Sequence, residues 1–237
     1  MSDTRRRVVI TGLGAITPVG NDVPSTWSAL LAGETGAGPI TIFETTEQFP
    51  IRIACEVKNF DPLAFLEKKE VRRYDRFAQF SVGAAVEAMR DAGLAGAPEG
   101  VAPERFGVIF GSGIGGISTM EAQHDQLKDH GPSRVSPFFI PMFIPDIAAG
   151  LISIRFGAKG PNYATVSACA SGAHAIGNAV RFIERGDADV MVAGGGEATI
   201  TPLAVAGFAS MKALSTRNDD PAAASRPFDA GRDGFVI

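Results

Sequence analysis

Short, unbroken apolar runs that end in glycines are the feature that most narrows the fold. Val8-Val9-Ile10 leads into Gly12-Leu13-Gly14. Phe106-Gly107-Val108-Ile109-Phe110 leads into Gly111-Ser112-Gly113-Ile114-Gly115-Gly116, and Asp189-Val190-Met191-Val192-Ala193 into Gly194-Gly195-Gly196. None alternates apolar with polar residues, so each reads as a strand covered on both faces, as in a parallel sheet. Helical periodicity fills the gaps. Over 75–92, Phe77, Phe80, Ala84, Ala85, Ala88 and Met89 recur at helical spacing, with Asp75 as N-cap and Gly93 as stop. Over 171–185, Ala173, Ile176, Val180 and Ile183 do the same, and Gly186 closes the helix. The second helix also carries Gly172, Ala175, Gly177 and Ala179, small residues that suit close packing on several sides. Strands alternating with helices predict an α/β fold with a largely parallel sheet.

Composition removes several classes. With 45% apolar and 20% charged residues, the chain is neither disordered nor fibrous. Two cysteines, Cys55 and Cys169, make no disulfide framework and fit a reducing cytoplasm. A net charge of -4 argues against bulk nucleic-acid binding. The basic start, Met1 to Arg7, is followed by a stretch too short and glycine-rich for a signal peptide and reads better as leading into a buried strand. The most apolar later stretch, 138–154, is broken by Pro141, Pro145 and Asp146, so no membrane span is expected. The chain ends on Gly234-Phe235-Val236-Ile237, which reads as a strand cut in the middle. No composition shift marks a second domain, so residues 1–237 are read as one.

Cys169 is the first candidate for chemistry. In Thr165-Val166-Ser167-Ala168-Cys169-Ala170-Ser171-Gly172, a β-leaning run ends at the cysteine and a small-residue helix follows. The free N–H groups and positive dipole end of a helix N-terminus stabilise a thiolate there. The same turn offers backbone N–H groups to an oxyanion. The bland alternative is a buried structural cysteine, which is the reading for Cys55 in the strand-like 51–57. The 111–116 loop fits G-x-G-x-x-G at Gly111, Gly113 and Gly116. It follows the second strand rather than the first, and no acidic residue ends a strand about 20 residues on. Its expected role is close backbone approach beside a pocket, with Ile114 projecting into it. His174 lies five residues after Cys169, and helix geometry turns it away, so a packed or supporting histidine is expected. No Cys/His spacing suggests a metal site. The run 68–76, Lys-Lys-Glu-Val-Arg-Arg-Tyr-Asp-Arg, is a compact cationic patch that suits an acidic or phosphate-bearing partner. Its few aromatics disfavour nucleic acid.

Together these residues support a family resemblance. The chain resembles the β-ketoacyl-acyl-carrier-protein synthases along essentially its whole length, and most closely the type II elongation branch of dissociated fatty-acid synthesis. The resemblance rests on 8–14 with Thr17-Pro18-Val19-Gly20, on 111–116, on Ser136-Pro137-Phe138-Phe139, on Gly160-Pro161, and on 168–172. It continues through 186–195 with Glu197, Ala213 to Asp219, Ser225 to Asp229, and Arg232 to Val236. It implies the N-terminal half of a thiolase-type fold, with a five-stranded mixed sheet flanked by helices, ending inside the fifth strand. It implies that Cys169 takes an acyl chain from the carrier's phosphopantetheine thioester. Malonyl-carrier protein then loses CO2, and its enolate attacks the acyl-cysteine carbonyl. Ile114 and Phe208 match positions lining the acyl pocket. Lys69, Arg72, Arg73, Arg134 and Lys212 match basic positions that meet the acyl carrier protein. No resident cofactor is implied, because the phosphopantetheine belongs to the carrier. A homodimer is implied, with 138–147 lining the neighbouring subunit's pocket.

The resemblance also has departures. Two histidines, a lysine and a glycine-rich gating loop that the family carries in its second half have no counterpart here, and Ser133 stands where a basic residue is often found. Condensation by these 237 residues alone is therefore not expected. Two rivals remain: a thiolase-like acyltransferase on coenzyme A thioesters, and a non-catalytic carrier-binding partner subunit. The intact Cys169 counts against the second.

Overall fold

The computed structural model describes residues 6–96 and 98–237. Most of the basic start falls on residues 1–5, outside the described residues. In chain order the helices are α1 (Val23–Leu31), α2 (Lys68–Val71), α3 (Arg76–Asp91), α4 (Ile117–His130), α5 (Phe139–Phe143), α6 (Ile147–Phe156), α7 (Ser171–Arg185) and α8 (Pro202–Ser210). The strands are β1 (Gly38–Pro39), β2 (Ile53–Ala54), β3 (Phe106–Gly111), β4 (Asn162–Tyr163) and β5 (Val190–Gly195). The chain divides into two compact units. One joins Met1–Gly14 to Asp61–Ala198, and the other joins Ala15–Phe60 to Thr199–Ile237.

The first unit is built on a three-stranded parallel sheet in the order β4-β3-β5. All six residues of β3 are buried, which is why that run carries no polar residue. Successive side chains alternate between faces. Phe106, Val108 and Phe110 pack with Phe77, Val82, Ala148, Ala149 and Ile152 of α3 and α6. Ile109 faces Ala175 and Ala179 of α7, with Tyr163, Phe182, Met191 and Ala193 around them. The remaining residues on the α7 face of β3 are Gly107 and Gly111. A Cβ on Gly111 would stand 2.5 Å from the Ser171 carbonyl. On β5, a Cβ on Gly195 would stand 2.8 Å from the Gly172 Cα. These glycines let the first turn of α7 rest directly on the strand backbones.

Helices α3 and α7 bear out the periodicity and its punctuation. Asp75 caps α3, Gly93 leaves it at φ 73°, and Gly186 ends α7 at φ 80°. Asp75 does more than cap. It is 3% exposed, and it accepts hydrogen bonds from the Phe77 amide at 3.3 Å and the Ser118 hydroxyl at 2.7 Å. It also accepts from the Thr119 amide at 2.9 Å and the Thr119 hydroxyl at 2.6 Å. One carboxylate thus ties the start of α3 to the start of α4.

The second unit holds the antiparallel pair β1–β2 over a small core of Ile40, Ile51, Ile53, Val205, Leu214 and Ala224. Phe208 of α8 packs on this core, its ring edge-on to Phe235 at 5.5 Å.

The α/β class with helices flanking the sheet stands, but the five-stranded mixed sheet does not. Five strands are present among the described residues, divided between two sheets. Two expected strands are missing from the ladders. Val8–Ile10 joins no sheet, with Val9 61% and Ile10 79% exposed. Its following glycines instead seat the backbone on α3, where a Cβ on Gly12 would collide with the Ala88 carbonyl, and Leu13 donates its amide to Asp91 at 2.9 Å. The run 234–237 forms a single parallel bridge, Leu214 to Phe235. Among the described residues no helix is long and apolar enough to cross a membrane.

Replacing Asp75 by Ala removes a buried anionic acceptor from four donors. Hydrogen bonds to charged groups contribute about 1.5–3 kcal/mol each, and orphaned buried donors add to the loss. Urea denaturation of Asp75→Ala is expected to show an unfolding free energy lower by at least about 2 kcal/mol, with Asp75→Asn in between.

Candidate active site

The residues after β4 fold into a tight strand-to-helix turn. Ala168 sits at φ 51°, a left-handed conformation that L side chains rarely adopt. This reversal throws Cys169 outward, and its side chain is exposed. Two residues later α7 begins, 15 residues long. Its N-cap residue is Ala170, which has no side-chain acceptor, so no capping side chain competes for the first-turn amides. The positive end of the helix opens toward the residues just before it, Cys169 and Ala170.

A buried serine forms the floor of this turn. Ser171 is 3% exposed. Its hydroxyl donates to the Ala168 carbonyl at 2.7 Å and accepts from the Ser167 amide at 2.9 Å. The Ala170 amide donates to the Ser167 carbonyl, and the Ser171 amide to the Ala168 carbonyl, each at 3.1 Å. The Thr165 hydroxyl donates to the Ser171 carbonyl at 2.7 Å. The left-handed Ala168 is over-determined by these bonds, as strained residues at working sites are.

Of the two readings of His174, packed or supporting, its exposure rules out the first. It is exposed, and its Nδ1 lies 2.6 Å from the Ser167 Oγ. Position 174 is on the outer side of α7, while positions 171, 175 and 179 are buried. The histidine therefore touches the turn from outside.

The glycine loop is brought to the cysteine turn, as close backbone approach required. A Cβ on Gly113 would stand 3.4 Å from the Ala168 Cα and carbonyl oxygen. Ile114 follows directly and is half-buried. Gly115 adopts φ 74°, and its amide donates to the Ser112 hydroxyl at 3.0 Å. The Gly113 amide donates to Glu197 at 2.6 Å. An exposed nucleophile candidate, a left-handed turn before a helix, and a glycine loop laid against that turn form one constellation. Residues 5–237 match the family described as Beta-ketoacyl synthase, N-terminal domain. The chain belongs to the β-ketoacyl synthase family.

Individual relatives agree. The chain is 54% identical over 232 residues to the 3-oxoacyl-[acyl-carrier-protein] synthase 2 of Staphylococcus aureus (strain COL). That match takes in 98% of the chain and 55% of the relative, so the chain spans about half the length of the curated relatives it matches. It is also similar to the crystal structure of a β-ketoacyl synthase from Burkholderia phymatum STM815, with a TM-score of 0.85 and 35% identity over 98% of the chain and 56% of that protein. A third likeness is to a type II PKS acyl-carrier protein in complex with its ketosynthase bound to the hexaketide, with a TM-score of 0.81 and 30% identity over 99% of the chain and 56% of that one.

The basic positions of this β-ketoacyl synthase chain divide between the units. Lys69, Arg72 and Arg73 are exposed on α2 and the turn after it. Lys69 pairs with Glu67 at 2.8 Å, which raises its pKa, first through the hydrogen bond and then through the charge. Arg73 stacks on the Phe138 ring at 4.5 Å, and exposed Arg134 lies four residues before that phenylalanine in a 3₁₀ turn, Pro132–Arg134. Tyr74 donates to Glu70 at 3.2 Å, and burial, with that carboxylate beside it, pushes its pKa up to about 12. Lys212, exposed at φ 56°, and Phe208 belong to the second unit.

The two thiols are set apart by environment. Cys55 is half-buried, and burial pushes its thiol above the ordinary value, with Lys58 opposing in part. At any pH below that raised value its thiolate is scarcer than that of a free cysteine. Limited alkylation with iodoacetamide near pH 8 is therefore expected to label Cys169 well ahead of Cys55. Cys55 labelling should climb only as the pH rises past the ordinary thiol range, and peptide mass spectrometry of native and unfolded samples checks this order.

Proposed function

We propose that this chain carries the nucleophile of a 3-oxoacyl-acyl-carrier-protein synthase, which lengthens a fatty acyl chain by two carbons. The observation that carries the reading is the exposed Cys169 at a left-handed turn beside the start of a 15-residue helix. The thiolate of Cys169 attacks the thioester carbonyl of an acyl-carrier protein. The oxygen takes up negative charge, the carbon–sulfur bond to the phosphopantetheine breaks, and that sulfur leaves with a proton. Malonyl-carrier protein then loses CO2, and its enolate carbon attacks the acyl-cysteine. Collapse of the tetrahedral adduct returns the Cys169 thiolate and releases the 3-oxoacyl product. Preorganised N–H donors at each oxyanion contribute on the order of 100–1,000-fold in rate. His124, His130 and His174 match none of the family's activating histidines, so the decarboxylation step is assigned to groups other than these. The phosphopantetheine arrives with the carrier, and no resident cofactor enters this scheme.

Ile114 is assigned to the wall around the acyl chain, supported by the loop's contact with the Ala168 turn. Phe208 carries the same role from the family resemblance alone. Lys69, Arg72, Arg73, Arg134 and Lys212 are assigned to the acidic carrier protein, and the carrier named in the ketosynthase complex above supports that partner. We further read residues 1–237 as one family domain, working as a homodimer in a reducing cytoplasm that suits two free thiols.

The test uses the longest polypeptide that the gene encodes. Incubation with acyl-carrier protein is expected to place the acyl group on Cys169 by peptide mass spectrometry, and Cys169→Ala is expected to lose both acylation and condensation. A label elsewhere, or equal turnover of coenzyme A thioesters without carrier protein, overturns the reading. Charge reversal at Arg72 and Arg73 is expected to raise the KM for acyl-carrier protein by about tenfold, with kcat little changed and the defect growing with added salt. An unchanged KM removes the carrier assignment of these arginines.

A further inference from the structure

Glu197 stands outside the acyl-transfer chemistry above, yet it reaches across from the end of β5 to the glycine loop. Its Oε2 accepts the Gly113 amide at 2.6 Å, and its Oε1 accepts the Ser112 hydroxyl at 2.9 Å. The Ser112 side chain is 2% exposed and also accepts the Gly115 amide at 3.0 Å. The proton positions follow from chemistry alone. An amide N–H can only donate and a carboxylate can only accept, so the Ser112 proton must point to Glu197. Ile114 therefore sits between two amides that hang on one carboxylate, Gly113 directly and Gly115 through Ser112. The same Gly113 leaves no free room for a side chain beside Ala168, the left-handed residue before Cys169, since a Cβ there would stand 3.4 Å from its Cα.

We propose that Glu197 is a positioning residue that sets acyl-chain preference by fixing the Ile114 backbone relative to the Cys169 turn. This rests on the reading of Cys169 as acyl acceptor and Ile114 as pocket wall. Glu197 touches no reacting atom in this scheme. It acts through Gly113, Ser112 and Gly115. The loop's glycines make such a clamp necessary. Residues 113, 115 and 116 have no side chains to pack, and Gly115 already sits in the left-handed region, so hydrogen bonds at the amides hold the path. Without the carboxylate, the Ser112 proton and the Gly113 amide lose their acceptor together, and the backbone on both sides of Ile114 is released. One methylene more or less of substrate in an apolar pocket changes discrimination by about 10–200-fold, so a wall that gains or loses that room is read in the chain-length ratio.

The test compares Glu197→Ala, Glu197→Gln and Ser112→Ala with the natural protein in its full encoded length. Two readouts are taken. Amide hydrogen exchange is followed at residues 113–115, and kcat/KM is measured for acyl-carrier proteins from four to sixteen carbons. Glu197→Ala is expected to speed exchange at Gly113 and Gly115 by tenfold or more. It is also expected to change the ratio of long-chain to short-chain kcat/KM by about tenfold. Ser112→Ala should speed exchange at Gly115, move the same ratio in the same direction, and add little in the double variant, because both act through one network. Glu197→Gln, which keeps one acceptor, should fall between and covers the case in which the alanine variant does not fold. Unchanged exchange at Gly115, or an equal loss of activity at every chain length, overturns the proposal. Should the natural protein fail to acylate Cys169, the active-site reading falls, while the exchange data still report whether Glu197 holds the loop.

Discussion

The close seating of α7 on the central strands is the constraint on which the rest of the first unit depends. A helix normally stands off a sheet by the thickness of two side-chain layers. Here Gly111 faces Ser171, and Gly195 faces Gly172, so backbone meets backbone at the helix start. A single methyl at Gly111 would stand 2.5 Å from the Ser171 carbonyl. Further along, Ile109 packs on Ala175 and Ala179, and ordinary burial takes over. This graded contact brings the N-terminus of α7 down to the carboxyl ends of the strands, where ligands of open α/β sheets gather. Cys169 is carried there as part of the connection rather than on a mobile loop.

Polar groups then hold what the glycines leave loose. Ser171 closes the Cys169 turn from below, Asp75 joins the starts of α3 and α4, and Glu197 gathers the glycine loop. Each accepts from a main-chain amide at the start of a helix, in the turn before one or in the glycine loop. Glycine permits the strained path but provides nothing to hold it, so a neighbouring oxygen does that. The strain at Ala168 is sustained in this way, inside a ring of bonds from Thr165 to Ser171. The site combines a hydrogen-bonded frame with an exposed sulfur, and exposure is one condition of nucleophilic chemistry at a thiol.

Much of this was legible in the chain. The run 106–110 is apolar throughout because β3 is covered on both faces, and that pattern survives without any knowledge of its neighbours. Asp75, Gly93 and Gly186 mark helix ends through backbone chemistry that acts within a turn or two. The position of Cys169 between a β-leaning run and a small-residue helix likewise follows from local order. Other readings failed for a common reason. Val8–Ile10 has the composition of a buried strand, yet it joins no sheet and Val9 and Ile10 stay exposed, while glycines 12 and 14 after it are the residues that fit against α3. The packed reading of His174 fails because the burial of 171, 175 and 179 turns it outward, where it meets Ser167.

Local patterning by itself determined the α/β class, helices α3 and α7, the central strand and the place of Cys169 just before α7, because each depends on periodicity or on residues adjacent in the chain. Only the tertiary structure decided which strands pair, which carboxylate answers which amide, and that Glu197 meets Ser112 and Gly113 more than eighty positions away. Hydrogen bonds and strand pairing act through space at about 3 Å. A sequence records the groups able to make them, but the partner is chosen when packing brings distant segments within that reach.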